Sequence, residues 1–191
     1  MRCVKSMLGI LVFVCCSLSV FAQMGSHPPA KTPGDALNAS LSIAKAEFVA
    51  AADAMPEDKY SFAPTNGEFK GVRTFAEQVK HVAAVNYIFG AAILQEKPPV
   101  DTGEEKGPAN VKSKAEIMKF LNDSFDYLQK ALGSISDKNQ LDEITLFGQM
   151  KMSRLSWGAF ACAHPFDHYG QMVEYLRMNG IVPPASRPQS K

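Results

Sequence analysis

Four runs of this chain carry apolar side chains at every third or fourth position, and each run opens on a helix-start signal. That periodicity predicts four amphipathic helices and leaves little for the core to be but helix against helix. Thr32-Pro33 opens the first, with Thr as N-cap, Pro in the first turn and Asp35 close behind. Leu37, Leu41, Ala44 and Phe48 form its stripe to about Ala54, and Pro56 stops it. Thr74-Phe-Ala-Glu77 is a capping box that starts the second, with Phe75, Val79, Val82, Asn86, Phe89 and Ile93 inward to about Gln95. A further capping box, Ser113-Lys-Ala-Glu116, starts the third, which carries Ile117, Leu121, Phe125, Leu128 and Leu132 and ends at Gly133. Ser153 caps the fourth, running through Leu155, Phe160, His164, His168, Met172 and Leu176 to Asn179-Gly180. The stretch Leu141 to Gly148 reads as extended or as a short turn, and no segment reads as a convincing strand. The fold class expected is all-α, a four-helix bundle.

The connections are uneven. Residues 56–73 are long for a helix link, with Asn66-Gly67 as a turn and Tyr60, Phe62 and Phe69 to pin the loop onto the bundle. Residues 97–111 are rich in Pro, Gly and charge and read as an exposed loop in which Glu104 and Glu105 are solvated.

The first residues read as a leader rather than as fold. Arg2 and Lys5 precede an apolar run from Met7 to Val20, and Val20-Phe-Ala22 before Gln23 suits cleavage. A secretory signal peptide at 1–22 is expected, hence a periplasmic or secreted protein. The run is short for a permanent anchor, and no small residue precedes Cys15 or Cys16 as a lipoprotein signal would place it. Residues 23–31, with His27, then form a flexible tether, 32–185 the bundle and 186–191 a loose tail. Cleavage removes Arg2 and Lys5 and leaves acids and bases nearly balanced, without the basic excess of a nucleic-acid binder. It also removes Cys3, Cys15 and Cys16, so that Cys162 has no internal disulfide partner. Cys162 is read as a buried small hydrophobe, with a reactive thiol or a ligand as the other readings.

His164-Pro-Phe-Asp-His168 is the stretch with chemistry in it. Histidines four apart on a helix lie on one face, one turn apart, as two ligands of one metal ion would. The same spacing also occurs where two histidines only line a packed face. Pro165 stands between them and should bend a continuous helix near Ala161, unless the helix proper begins at Pro165. His81 sits at the edge of the second helix's stripe, with Gln78 and Val85 one turn away on either side.

Residues Tyr60-Ser-Phe62-Ala-Pro64, Arg73-Thr-Phe75 through His81, and His164 through Tyr175-Leu-Arg177 to Pro183-Pro184 together resemble the DinB-like superfamily, over most of the chain beyond the leader. The resemblance implies an up-down-down-up bundle in which His81, His164 and His168 hold a divalent metal; imidazole ligands suit zinc, nickel, iron or copper, with zinc and nickel first among them. Three neutral imidazoles leave such an ion an open position. The resemblance further implies a thiol-dependent S-transferase or isomerase, and homodimerisation, which is common in the family; the open three-histidine site points to a metal-dependent hydrolase or thiol S-transferase acting on an unknown small molecule. The other readings are a non-catalytic metal-binding or stress-associated bundle, and a structural bundle with vestigial histidines. Asn86 and Gln171 are the candidates to orient the ligands. Asp167 points away from the site and Tyr175 reads as core.

Overall fold

In a computed structural model, the residues described are 29–188. The leader expected at 1–22, the start of the tether with His27, and residues 189–191 lie outside them. Four helices account for just over half of the described residues: α1 (Pro33–Ala54), α2 (Phe75–Leu94), α3 (Lys114–Gly133) and α4 (Arg154–Met178). Each begins where its cap was expected. Thr74 and Ser113 make full capping boxes with Glu77 and Glu116. Thr32 makes one as well, with the shorter Asp35 carboxylate taking the Glu role and accepting from the backbone N–H of Thr32 at 3.0 Å. No helix among the described residues is long and apolar enough to cross a membrane.

The hydrogen bonds between helices fix their directions. Asn38, early in α1, donates to the carbonyl of Gln129 late in α3, while Lys114 at the start of α3 reaches the carbonyl of Met55 just past α1. Those two helices are therefore antiparallel. Asn86 to Ser124 and Glu96 to Tyr127 step the same way along α2 and α3, which run parallel. Gln78 with Gln171, and Ile93 with Arg154, make α2 and α4 antiparallel. The order is up-down-down-up. The helices in contact are α1 with α3 and α4, and α2 with α3 and α4.

This topology explains the long connection between α2 and α3. Because α2 and α3 point the same way, residues 95–113 must travel back along a helix of 20 residues, about 30 Å. The return passes over α2 and reaches the histidines.

The link between α3 and α4 departs from the expectation. It holds an antiparallel hairpin of β1 (Glu143–Leu146) and β2 (Met150–Ser153), with Ile144 opposite Met152. Only Ile144 of these eight residues is fully buried, so no alternating run marks the strands. The pairing is set from outside: the Ile144 carbonyl accepts the Trp157 indole N–H at 3.0 Å, and the backbone of Arg154 donates to Asp142. Helix α4 runs unbroken through Pro165, whose ring is buried, so the continuous-helix reading holds.

Gly34 shows how tightly the ends of the bundle close. Its N–H donates to the Ile135 carbonyl at 3.1 Å, and a Cβ there would stand 2.4 Å from the Leu132 carbonyl oxygen. Alanine is intrinsically better than glycine in a helix by about 1 kcal/mol. The clash with backbone outweighs that gain, so Gly34→Ala should destabilise by about 1–3 kcal/mol. Urea unfolding followed by circular dichroism checks this, and an unchanged or raised midpoint would refute the close contact.

Candidate metal centre

Since α2 and α4 run antiparallel, a rising register on one meets a falling register on the other. Gln78 and His81 are one turn apart on α2; His164, His168 and Gln171 occupy successive turns of α4. The pairs that meet are Gln78 with Gln171, and His81 with both histidines of α4. One ligand nitrogen from each histidine lies within 4.8 Å of the others. The Nε2 atoms of His81 and His164 are 3.3 Å apart. Tetrahedral zinc, at about 2.0–2.1 Å from each nitrogen, would hold its ligand nitrogens about 3.3 Å from one another. Pro165 does not spoil the aim: the His164 and His168 rings are 4.6 Å apart, centroid to centroid.

The far nitrogens are held in place. His81 Nδ1 lies 2.8 Å from the backbone carbonyl of Glu105, and His168 Nδ1 lies 2.7 Å from Gln78 Oε1. Carbonyl oxygens only accept, so these Nδ1 atoms carry the protons and each Nε2 presents a lone pair. Gln78 is held in turn by donating to Gln171 Oε1 at 2.8 Å. His164 Nδ1 is buried without a hydrogen-bond partner. Its ring is backed by Phe89, which packs on Trp157.

Glu105 reaches His81 through a costly turn. Gly103, Glu104 and Glu105 stand consecutively at φ +54°, +51° and +71°. Left-handed backbone costs a non-glycine residue roughly 1–2 kcal/mol. Strain of that kind persists where the surroundings over-determine it, and here the His81 contact is part of what holds it.

The histidines are kept neutral. Burial lowers the His81 pKa, against the Glu105 carbonyl, which favours the proton. Burial, then the charges of His168, His81 and Arg73, bring His164 down to about 3. Burial and then His81 bring His168 down to about 4, with Asp167 opposing. Neutral imidazole is the form that binds metal. The donor set, its spacing and its oriented lone pairs therefore fit a metal ion.

Of the other residues singled out in the sequence, Gln171 acts one step removed, through Gln78. Asn86 does not join the centre. Five residues past His81 it is turned about 140° around the helix, and its amide donates to Ser124 on α3 at 3.1 Å. Asp167 is exposed. Tyr175 is buried, its hydroxyl on the Arg73 carbonyl at 3.0 Å. Cys162 is buried, with its thiol pushed up to about 11 by that burial, and is not part of the centre. Sequence reasoning missed the roles of Gln78 and Glu105. For Gln78 a signal existed, one turn before His81 on the same face. The Glu105 contact is backbone, and no side chain announces it.

Gln78→Leu should therefore leave the bundle folded and weaken metal binding by about 10–100-fold, the usual effect of losing a group that orients a ligand histidine. Competition with a chromogenic zinc chelator measures it. An unchanged affinity would mean that His168 needs no such support.

A family model described as the DinB superfamily matches residues 40–172, a span that includes all three histidines. No curated protein matches the chain. Among solved structures, the crystal structure of a DinB-like protein from Bacillus cereus ATCC 10987 superposes with a TM-score of 0.59, covering 78% of this chain and 93% of that chain at 17% identity. Identity so low speaks for the fold alone.

Proposed function

We propose that this chain, which belongs to the DinB superfamily, holds one divalent metal ion through His81, His164 and His168 and presents it to a small-molecule ligand. The observation that carries the reading is the convergence of three buried or half-buried imidazoles, one nitrogen from each, from two facing helices. When bound, such an ion supplies Lewis acidity to an oxygen or sulfur donor. Gln78 and the Glu105 carbonyl hold two of the rings in one tautomer, and Phe89 and Trp157 keep water from the back of His164. Zinc or nickel suits the all-imidazole set.

We further propose that the protein is exported, on the strength of residues 1–22, and that its reaction is a hydrolysis or a thiol transfer. A second reading, a metal binder without catalysis, is favoured by one observation: among the described residues no carboxylate or thiol joins the three histidines as a ready proton acceptor. Elemental analysis of the purified protein tests the centre. About one zinc or nickel per chain is expected, and none in His81→Ala. Wild-type protein that takes up no metal when incubated with zinc or with nickel would refute the centre. Screening the loaded protein against esters, amides and thiol conjugates then separates enzyme from binder.

A further inference from the structure

A cleft of about 900 Å³ opens beside the histidines, between residues 71–73, the first turns of α2 and the return segment 101–109. Gln78 and Gln171 line it, which puts the cleft one hydrogen bond from His168. The segment walling its other side gives the Glu105 carbonyl to His81.

The charges around this cleft are unequally engaged. Glu77 is spent on the cap of α2, accepting from the backbone N–H of Thr74 at 2.7 Å. Asp101 accepts from the N–H of Gly103 at 2.8 Å. Lys80 donates to the Pro108 carbonyl at 2.8 Å. Arg73 and Lys106 also line the cleft, and among the described residues neither has a carboxylate within ion-pair distance. Arg73 lines the cleft together with Gln78, whose side-chain oxygen accepts from His168 Nδ1 at 2.7 Å. Two unengaged cations, one from residues 71–73 and one from the return segment, and one of them a planar fork suited to carboxylate and phosphate, make the cleft an anion receptor.

We propose that this cleft seats the organic ligand of the metal centre and selects a small molecule bearing an oxyanion, a carboxylate or a phosphate, through Arg73 and Lys106. This rests on the metal reading above, and the test separates the two. Cobalt(II)-loaded protein at low salt is titrated with mercaptopropionate and mercaptohexanoate, each against the uncharged mercaptoalcohol of the same length. Thiols are the probes because thiolate bound to cobalt(II) absorbs visibly. The expected result is binding roughly tenfold tighter for at least one carboxylate probe, the scale of one charge-assisted contact. The preference should shrink as salt is raised. It should vanish in an Arg73→Gln, Lys106→Gln double variant loaded to saturation with cobalt(II). Both side chains are exposed, and Arg73 bonds Tyr175 only through its backbone, so the variant keeps the fold. If wild type takes up no cobalt, the metal reading fails and carries this proposal with it. If cobalt binds but the probes do not differ, or the preference survives in the double variant because the metal charge alone produces it, this proposal is overturned and the metal reading stands.

Discussion

Adding excess chelator to the metal-loaded protein should lower its melting temperature by about 8–16 °C. The size follows from linkage. A ligand that binds only the folded chain, present at a thousand times its dissociation constant, stabilises by about 4 kcal/mol. For a domain of this size each kcal/mol moves the melting temperature by about 2–4 °C. His81→Ala and His164→Ala should melt at one temperature with zinc or with chelator, because each leaves only two ligands. Either variant gaining as much from zinc as wild type does would refute the ligand set.

Acid acts on the metal-free protein through the same residues. Unfolded, the histidines titrate near 6.5; folded, His164 and His168 titrate at about 3 and 4, mainly because burial disfavours their charged forms. The unfolded chain therefore binds more protons between those limits. Metal-free stability should be full above pH 6.5 and fall progressively as the pH drops toward 4. Replacing both α4 histidines by glutamine, which has no charge to gain, should flatten that fall. Unfolding midpoints at several pH values, wild type against variant, check the sign.

What could be read in the chain divides by how local its cause is. The capping boxes at Thr74 and Ser113 are settled within four residues, and both helices begin there. The His164 and His168 pair was visible because α4 alone sets their separation. His81 was different: its own surroundings do not distinguish it from a boundary histidine, and only the resemblance to a family joined it to the pair. Of the hairpin, only the stretch 141–148 was legible, as extended or a turn; its pairing with β2 and the Glu105 contact were not. Each depends on a partner distant in sequence or on an anonymous backbone carbonyl: Trp157 for the strand at Ile144, and His81 for the return segment. Asn86 failed as a site residue because the inward stripe of α2 faces two neighbours. His81 takes the α4 side of it and Asn86 the α3 side.

Trp157 is where these two parts of the molecule join, and replacing it should be among the costliest changes the chain can suffer. It is fully buried. Its ring packs on Phe89 and Phe147, and Phe89 backs His164. Its N–H is the tie to the hairpin. Trp157→Ala should cost about 3–5 kcal/mol, the range for deleting a large aromatic from a packed core. Against a whole stability of about 5–15 kcal/mol, that can unfold the chain, so Trp157→Phe is the companion measurement. It keeps most of the packing and drops the hydrogen bond, leaving the Ile144 carbonyl buried without its donor at a cost of about 1–3 kcal/mol. Trp157 is the only tryptophan, so its fluorescence follows wild-type unfolding, while circular dichroism serves the variants. Should Trp157→Ala cost less than 1 kcal/mol, the indole is not the keystone of the hairpin. Should Trp157→Phe match wild type in stability while its β1 amides exchange with solvent faster, the hydrogen bond holds the hairpin without contributing to the global balance.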